Sequence, residues 1–347
     1  MPFVRRLTGL LLILAVLVVA TIGSVLIGTR EMPLAATWDS FTAGCSQICQ
    51  ALIHLHMPRI DKSSDTAGIV WDLRVPRTVL GLIVGLAIGA AGAITQGHTR
   101  NPIADPGLLG VNAGAACAVV GGVYLFGISS PLAYMAFGLG GAIITSALVF
   151  GIAALTGTGP ITLVLAGTGL SAMLVAITSA IVLSDTASLD AWRFWSVGST
   201  AGRSIDIFWA ALPFIGVGLV LALASGFFLN ILSLGDDMTT ALGSRVLVIR
   251  GVGILGITLL IGAATAACGP IVFLGLVVPH IARAITGADY RWIIPYSALI
   301  GAALLLVCDI IGRVVARPGE IQVGVVLAFV GAPFLIAMVR RTKLTSV

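Results

Sequence analysis

The chain has 347 residues, of which 58% are hydrophobic and only 10% are charged, and its mean hydropathy is +1.11. A soluble domain is about 45–50% apolar with about a quarter of its residues charged, and it cannot bury this much apolar surface because surface area falls too slowly with size. The net charge of +5 is spread without a run of like charges, which argues against a nucleic-acid-binding protein. The composition therefore predicts an integral membrane protein.

Ten apolar segments approach the roughly 20 residues that a membrane-spanning helix needs. We predict an all-α, polytopic membrane protein with helices over residues 7–29, 76–97, 107–127, 131–156, 161–184, 206–229, 248–267, 270–286, 292–315 and 321–339. The first segment is longer than the h-region of a signal peptide, so we interpret it as an uncleaved helix. The eighth is short, and we expect Pro279 to interrupt it, which leaves nine or eleven crossings open. An even number places both termini on one side, and the basic residues near both ends assign that side to the cytoplasm.

The longest polar stretch follows the first helix, at about residues 30–75, and we expect an outer loop there. It contains Cys45 and Cys49. If the loop faces an oxidising compartment, a disulfide is compatible with this spacing, but the spacing does not distinguish it from two free thiols. His54 and His56 add no recognisable ligand spacing, so we predict no metal site.

Small and polar residues inside the apolar segments indicate how the helices pack. Gly81, Gly85 and Gly89 recur every four residues, which predicts a bare helix face that another helix approaches closely. Asp309 and Arg313 are also four apart, in the order that favours an intrahelical ion pair. A secondary transporter is expected to place carboxylates near the bilayer midplane, and no segment has one there.

The sequence contains no catalytic motif. The phosphate-binding G-x-x-x-x-G-K-[ST] loop is absent, since Lys62 and Lys343, the only lysines, lie in other settings. The G-x-S-x-G and H-E-x-x-H motifs are also absent. A membrane-embedded enzyme would need a polar catalytic cluster that we do not find. We therefore predict a protein that is not an enzyme, needs no cofactor, and either conducts passively or depends on a separate motor.

Several long motifs occur in a fixed order along the chain. They are R-V-P-R at 74–77, R-N-P-I-A-D-P-G at 100–107, the loop 234–243, G-P-I-V-F-L-G-L-V-V-P-H-I-A-R at 269–283, and the run 324–333. Together they resemble the permease subunits of ATP-binding-cassette (ABC) importers for iron–siderophore complexes, haem and cobalamin, over nearly the whole chain. The string A-D-P-G-L-L-G-V-N-A-G-A looks most like the ferric-enterobactin members.

This resemblance implies a type II ABC importer permease fold, with residues 1–347 as a single transmembrane domain in the cytoplasmic (inner) membrane. It implies three kinds of partner: a second permease subunit (a paralogue or a second copy), two ATPase subunits that hydrolyse ATP, and an extracytoplasmic substrate-binding protein. The implied cargo is a ferric siderophore, with haem or cobalamin as alternatives that no residue separates. A secondary transporter is a remote alternative.

The resemblance also implies roles for particular residues. It implies that Arg74, Arg77 and Arg313 contact the binding protein when it docks. We interpret Arg193 and Arg203 as anchors whose charged groups lie at the membrane interface. ATPase coupling falls to a loop at about 230–247, through Leu234, Gly235, Asp236, Ala241, Leu242 and Gly243. A cytoplasmic gate is expected at Thr156, Gly157, Thr158 and Gly159. Path or structural motif residues are Arg100, Asn101, Pro102, Asn112, Pro279 and His280, and we interpret His280 as a packing residue and not a metal ligand.

Overall fold

The structure, a computed structural model, describes residues 3–53, 64–156 and 159–341. These residues form helices joined by short connections, without a β-strand in the described ranges. The helices are α1 (Phe3–Leu26), α2 (Leu34–Ile53), α3 (Asp65–Gly68), a π-helix (Ile69–Arg74), α4 (Val75–Thr99), a 3-10 helix (Pro106–Leu109), α5 (Val111–Phe126), α6 (Pro131–Thr156), α7 (Pro160–Ser184), α8 (Thr186–Trp195), α9 (Ile205–Leu232), α10 (Asp236–Ala241), α11 (Val246–Cys268), α12 (Leu274–Thr286), α13 (Tyr290–Val315) and α14 (Val323–Arg341).

The ten predicted apolar segments correspond to ten helices. Seven of them, α1, α4, α6, α7, α9, α11 and α13, are long and apolar enough to cross a membrane, and α5, α12 and α14 are shorter apolar helices. The predicted all-α membrane fold is confirmed. The segment at about 30–75 is partly helical, since α2 lies within it and Trp71 holds α2 by donating from Nε1 to the Ser40 carbonyl at 3.1 Å.

The expected interruption at Pro279 is wrong, because Pro279 lies inside α12. The break occurs earlier, between α11 and α12, where Gly269 and Phe273 have left-handed φ angles of 78° and 68°. Proline removes the hydrogen bond to the carbonyl four residues before it, which here is that of Gly275. This oxygen faces α4, since a Cβ on Gly92 would lie 2.0 Å from it. The helix therefore continues through Pro279 while its unbonded carbonyl contacts a bare face of α4.

Helix α4 lies at the centre of the bundle and meets its neighbours at backbone distance. A Cβ on Gly85 would lie 2.5 Å from the Ala302 Cα, and one on Gly89 would lie 2.1 Å from the Ser297 carbonyl oxygen, both on α13. The predicted close approach along this glycine face is confirmed, and α13 and α12 are the helices that use it.

The bundle has two ends, which we distinguish by the helices that meet there. At the end where α1 begins, which we call the terminal end, the Tyr296 hydroxyl near the start of α13 donates to the Arg6 carbonyl. At the opposite end, the distal end, Arg313 near the end of α13 donates to Ser24 near the end of α1. Helix α14 starts at the distal end, where the Gly324 N–H donates to the Gly198 carbonyl at 3.1 Å.

Candidate functional site

A buried carboxylate joins two helices at the distal end. Arg77 of α4 donates from Nη2 to Asp309 Oδ1 at 2.7 Å, and Arg313 donates from Nε to Asp309 Oδ2 at 3.1 Å. Thr200 adds a third donor at 3.0 Å from Oδ1. Asp309 is only 1% exposed, so this is an ion-pair cluster inside the protein. We call Arg77, Asp309 and Arg313 the Asp309 cluster. The predicted Asp309–Arg313 pair is present, and Arg77 joins it.

Two arginines cap the carboxyl-terminal end of α1. Arg74 donates from Nη1 to the carbonyls of Val25 at 3.1 Å and Leu26 at 2.5 Å. Arg313 donates from Nη1 to the carbonyls of Ser24 at 2.7 Å and Ile27 at 2.9 Å. The last carbonyls of a helix have no donors within the helix, so these guanidinium groups satisfy them and hold α1 against α4 and α13.

The three arginines predicted for docking therefore lie close together, but most of their donors bond within the chain. Arg74 and Arg313 are 5% and 2% exposed, and Arg77 also pairs with Glu320 at 2.6 Å. Docking through these three residues stays a prediction. In the structure, these three arginines connect α1, α4 and α13 at the distal end.

A cavity of about 760 Å³ opens beside the Asp309 cluster. It is lined by five arginines, Arg30, Arg74, Arg77, Arg203 and Arg313, and by two carboxylates, Asp72 and Glu320. Arg203 Nε is buried without a hydrogen-bond partner among the described residues. The sequence pattern indicated a lipid-interface anchor at Arg203, whereas the structure places it in this basic cavity. Arg193 lies elsewhere, on the exposed face of α8 beside Asp190.

A second charged cluster lies at the terminal end, around the first residue of α10. Arg250 of α11 donates from Nη2 to Asp236 Oδ2 at 2.8 Å and to Oδ1 at 3.0 Å. Arg100, at the end of α4, donates from Nη2 to the same carboxylate and from Nε to the Leu232 carbonyl at 3.2 Å. We call Arg100, Asp236 and Arg250 the Asp236 cluster. Arg250 is fully buried, at 0% exposure.

Sequence reasoning did not single out Arg250 or its neighbour His98. His98 is 2% exposed, and its ring lies against Gly253, where a Cβ would come within 1.7 Å of His98 Nε2. The signal was available, because Arg250 is a lone charge inside the apolar segment 248–267 and a lone intramembrane charge usually has a specific partner. The partner itself, Asp236, could not be named without the fold.

The predicted coupling residues form a compact segment between α9 and α11, residues 234–243. Gly235 and Gly243 bracket α10 with left-handed φ angles of 112° and 76°, which glycine adopts without steric cost. Thr239 is buried and donates from Oγ1 to the Ile231 carbonyl at 3.2 Å, which fastens α10 to the end of α9. The segment is therefore held on its inner side.

The outer side of the coupling segment is apolar and exposed. Leu234, Met238 and Leu242 are four residues apart and are 60%, 53% and 57% exposed. Met238 lies within α10, and Leu234 and Leu242 flank the two ends of this short helix. We call these three residues the coupling stripe. Three large apolar side chains exposed together at a helix end have the character of a contact surface.

The motif residues have mostly structural partners. Asn101 accepts from the Ile103 N–H at 3.0 Å in the exposed turn with Pro102, and Asn112 accepts from Thr265 at 2.9 Å. The His280 ring packs edge-on against Phe334, with centroids 5.9 Å apart. These contacts fix the turn 100–110 and helix α12 within the bundle.

The predicted gate is only partly described. Thr156 ends α6 and donates to the Ile152 carbonyl at 2.8 Å, and Gly159 precedes α7. Gly157 and Thr158 lie outside the described residues. The gate stays a prediction. In α2, Cys45 and Cys49 are free thiols.

A smaller polar contact joins α9 to α13 at the terminal end. Asn230 donates to Asp289 Oδ1 at 2.7 Å and accepts from the Tyr290 N–H at 2.9 Å. Arg291 pairs with Asp289 at 2.8 Å. The hydrogen bond from Arg291 is the main cause that lowers the pKa of Asp289 to about 2.

Comparisons with known proteins agree with this architecture. The model of the FecCD transport family matches residues 13–341. The chain is 45% identical over 339 residues to the ferric enterobactin transport system permease protein of Escherichia coli, which covers 96% of this chain and 94% of that protein. It is 34% identical to the iron(3+)-hydroxamate import system permease protein FhuB of Bacillus subtilis, covering 92% of this chain and 79% of that one.

A haem-related protein and a solved structure are also similar. The chain is 32% identical to the hemin transport system permease protein of Yersinia pestis, covering 98% of this chain and 96% of that protein. A solved structure described as a metal-chelate type ABC transporter in an inward-facing conformation matches with a TM-score of 0.80 at 24% identity, over 97% of this chain and 99% of that chain. At this identity the match supports the fold.

Proposed function

The chain belongs to the FecCD transport family, and from that premise we propose that it is the transmembrane permease subunit of an ATP-driven importer whose cargo is a ferric siderophore. The observation that supports a ferric siderophore as the cargo is the 45% identity to a ferric enterobactin permease over 96% of this chain. Haem is the second candidate, supported by the relative of Yersinia pestis at 32% identity. Cobalamin is a third candidate, and only the resemblance of the sequence motifs to the family supports it.

The partners belong to the same proposal. Two ATPase subunits hydrolyse ATP and bind the coupling stripe, since large apolar side chains exposed together on one segment mark a protein contact surface. A second permease subunit, a paralogue or a second copy, completes the transmembrane path. An extracytoplasmic binding protein delivers the chelate to the distal end, where five arginines against two carboxylates line the cavity and favour an acidic partner.

The orientation follows from where the coupling stripe lies. Helix α10 lies at the terminal end, because Arg100 at the end of α4 donates to Asp236, the first residue of α10. Arg100 also donates to the carbonyl of Leu232 at the end of α9. The basic residues at the two ends of the chain favour the same end for the cytoplasm. We therefore assign the terminal end to the cytoplasm and the distal end to the outside of the inner membrane.

The mechanism is a hypothesis of alternating access. ATP binding brings the two ATPase subunits together and displaces the coupling segment. The helices then rock, so that the path opens to one side and closes to the other. Most of the selectivity for the chelate belongs to the binding protein.

The test is reconstitution in proteoliposomes with the ATPase, the partner permease and the binding protein encoded beside this chain. Uptake of labelled ferric enterobactin, haem and cobalamin is measured together with ATP hydrolysis. We expect ATP-dependent uptake of the ferric siderophore at least tenfold above that of the other two. Uptake that persists without the ATPase overturns the importer assignment and supports the secondary transporter, and preferred uptake of haem or cobalamin overturns the cargo.

Docking is tested separately with Arg203→Glu, because Arg203 lines the cavity and no bond joins its guanidinium to a described residue. Arg193→Glu is the matched control at the exposed face of α8. We expect the affinity for the binding protein to fall at least tenfold in Arg203→Glu and to change little in Arg193→Glu, by surface plasmon resonance on permease in nanodiscs. Equal affinities contradict a docking role for the cavity.

A further inference from the structure

We propose that Asp236 is an ionic latch that joins the coupling segment to two transmembrane helices, to α4 through Arg100 and to α11 through Arg250. A displacement of the segment then moves both helices together. The role in transport rests on the proposed function of residues 234–243, whereas the latch itself is a property of this chain and is measured without partners.

The geometry gives one carboxylate two cations from different helices. Arg250 reaches both oxygens of Asp236, at 2.8 and 3.0 Å, and Arg100 donates to Oδ1. Arg100 and Asp236 are 136 positions apart along the chain, so the contact is entirely tertiary. Because charge-assisted hydrogen bonds are about twice as strong as neutral ones, this carboxylate is the strongest side-chain connection of α10 to its neighbours.

Asp236 is also the counter-ion that Arg250 needs. Arg250 is completely buried, and its Nε and Nη1 have no hydrogen-bond partner among the described residues. The neighbouring His98, which is buried against Gly253, supplies no negative charge to compensate Arg250, because an imidazole is either neutral or positively charged. Removing one partner from a buried ion pair leaves an uncompensated charge, which is strongly unfavourable. Arg250 therefore resists separation from Asp236.

The latch is connected to the core of the bundle. Arg100 follows α4 directly and also donates to the Leu232 carbonyl at the end of α9. Helix α4 in turn contacts α13 and α12 at backbone distance, through Gly85, Gly89 and Gly92. Packed helices of this kind move as units because close-packed interiors do not deform gradually. A force on the coupling segment thus reaches the centre of the protein.

The neighbouring acid provides a matched control. Asp237 is the next residue on the same short helix and is exposed, and its carboxylate makes no hydrogen bond or ion pair with a described residue. Asp236→Asn and Asp237→Asn therefore remove the same charge from adjacent positions, and only the first breaks the latch.

The first measurement is hydrogen exchange of the permease alone in nanodiscs. In the coupling segment, the N–H groups of Thr239 and Leu242 bond to the carbonyls of Gly235 and Met238, so their exchange reports its opening. We expect exchange at residues 236–242 to accelerate at least tenfold in Asp236→Asn and to stay within about twofold of the wild type in Asp237→Asn. Equal protection in both variants overturns the latch.

The second measurement is the ratio of substrate taken up to ATP hydrolysed in the reconstituted importer. We expect this ratio to fall at least fivefold in Asp236→Asn while hydrolysis continues. An unchanged ratio in Asp236→Asn overturns the coupling role of the latch. Failure of the proposed function is separate, since the wild-type complex would then show no ATP-dependent uptake while the exchange result still stands.

A folding defect is covered by a third variant. If Asp236→Asn does not fold, Asp236→Asn is combined with Arg250→Met, which removes the buried charge of Arg250 together with its counter-ion and is expected to restore a monodisperse protein. The double variant has no latch through α11, so we expect it to keep the accelerated exchange. Wild-type protection in this variant overturns the proposal.

Discussion

At the scale of single residues, the charged side chains that are buried in the described part of the chain, Arg74, Arg250, Asp309 and Arg313, each bond to an opposite charge or to the carbonyls at a helix end. Asp309 accepts from Arg77 and Arg313, and Arg74 occupies the carbonyls that end α1. Burying an unpaired charge costs several kcal/mol per ion, so each of these groups is held by its partners. The contribution of an ion pair to the free energy of unfolding therefore depends on how deeply the pair is buried.

The Asp309 cluster gives a direct test of this dependence. Asp309→Asn leaves two arginines without their carboxylate, and we expect the protein to lose about 3–5 kcal/mol of unfolding free energy. The control is Asp190→Asn, which breaks the exposed pair with Arg193 and should cost less than about 1 kcal/mol. Both are measured by equilibrium unfolding in mixed micelles. Equal losses would contradict a role of burial.

Asp289 makes a prediction about pH. Its pKa in the folded chain is about 2, below the ordinary value of 3.8, mainly because Arg291 donates to it. A lowered folded-state pKa contributes stability that is present above the ordinary pKa and is lost as the pH falls through the folded value. We therefore expect the wild type to melt higher than Asp289→Asn at pH 7, and the gap to shrink as the pH falls from about 4 to 2. A gap that does not change with pH would refute this.

At the scale of elements, α4 shows how glycine spacing determines which helices pack together. Its glycine face receives the backbone of α13 and, at Gly92, the carbonyl of Gly275 in α12. The same contact accommodates Pro279, whose missing N–H leaves that carbonyl without a donor. Close backbone approach is the main attraction available between helices in lipid, because the tails are as apolar as the side chains.

Gly92→Ala tests this contact, since the new Cβ would lie 2.0 Å from the Gly275 oxygen. We expect a loss of about 1–3 kcal/mol in stability from overpacking. Gly151→Ala in α6 is the control, because nothing lies within 4 Å of its Cβ position. There alanine should be neutral or stabilising by up to about 1 kcal/mol, as in any helix interior. Melting temperatures in nanodiscs compare the two, and similar values would reject the close contact.

At the scale of the whole molecule, the two charged clusters lie at opposite ends of the bundle and have different exposed surroundings. The Asp309 cluster borders a basic cavity, whereas the Asp236 cluster includes a residue of the coupling segment that carries the apolar coupling stripe. The basic cavity suits an acidic partner, and the coupling stripe suits an apolar groove on a partner. Transport through the proposed importer requires that these partners bind on opposite sides of the membrane.

Cysteine labelling tests that arrangement. Thr240→Cys and Ser204→Cys place single exposed thiols at the terminal and distal ends, in a chain whose exposed Cys49 and half-buried Cys45 and Cys117 are replaced by serine. We expect a membrane-impermeant maleimide to label Ser204→Cys from the outside of intact cells. Thr240→Cys should react only in inverted vesicles. The reverse pattern would invert the orientation proposed above, and labelling of both from one side would contradict a spanning bundle.

Most of the helices were predictable because hydropathy is a local property of the sequence. The ten segments, the glycine face of α4 and the pair of Asp309 with Arg313 all follow from spacings within one helix. The role of Pro279 was mistaken because the carbonyl it leaves unbonded is accommodated by a residue of another helix. Likewise, Arg203 looked like an interfacial anchor until the fold placed it in the basic cavity.

The sequence alone determined the class of protein, the positions of its apolar segments and, through ordered motifs, the family, because each of these depends on composition and on short-range pattern. Only the tertiary structure decided which charges meet. Arg77 and Asp309 are 232 positions apart, and Arg100 and Asp236 are 136 apart. No periodicity relates residues at such distances. Their pairing arises from the packing of α4 against α13, α9 and α11, which brings these charges together.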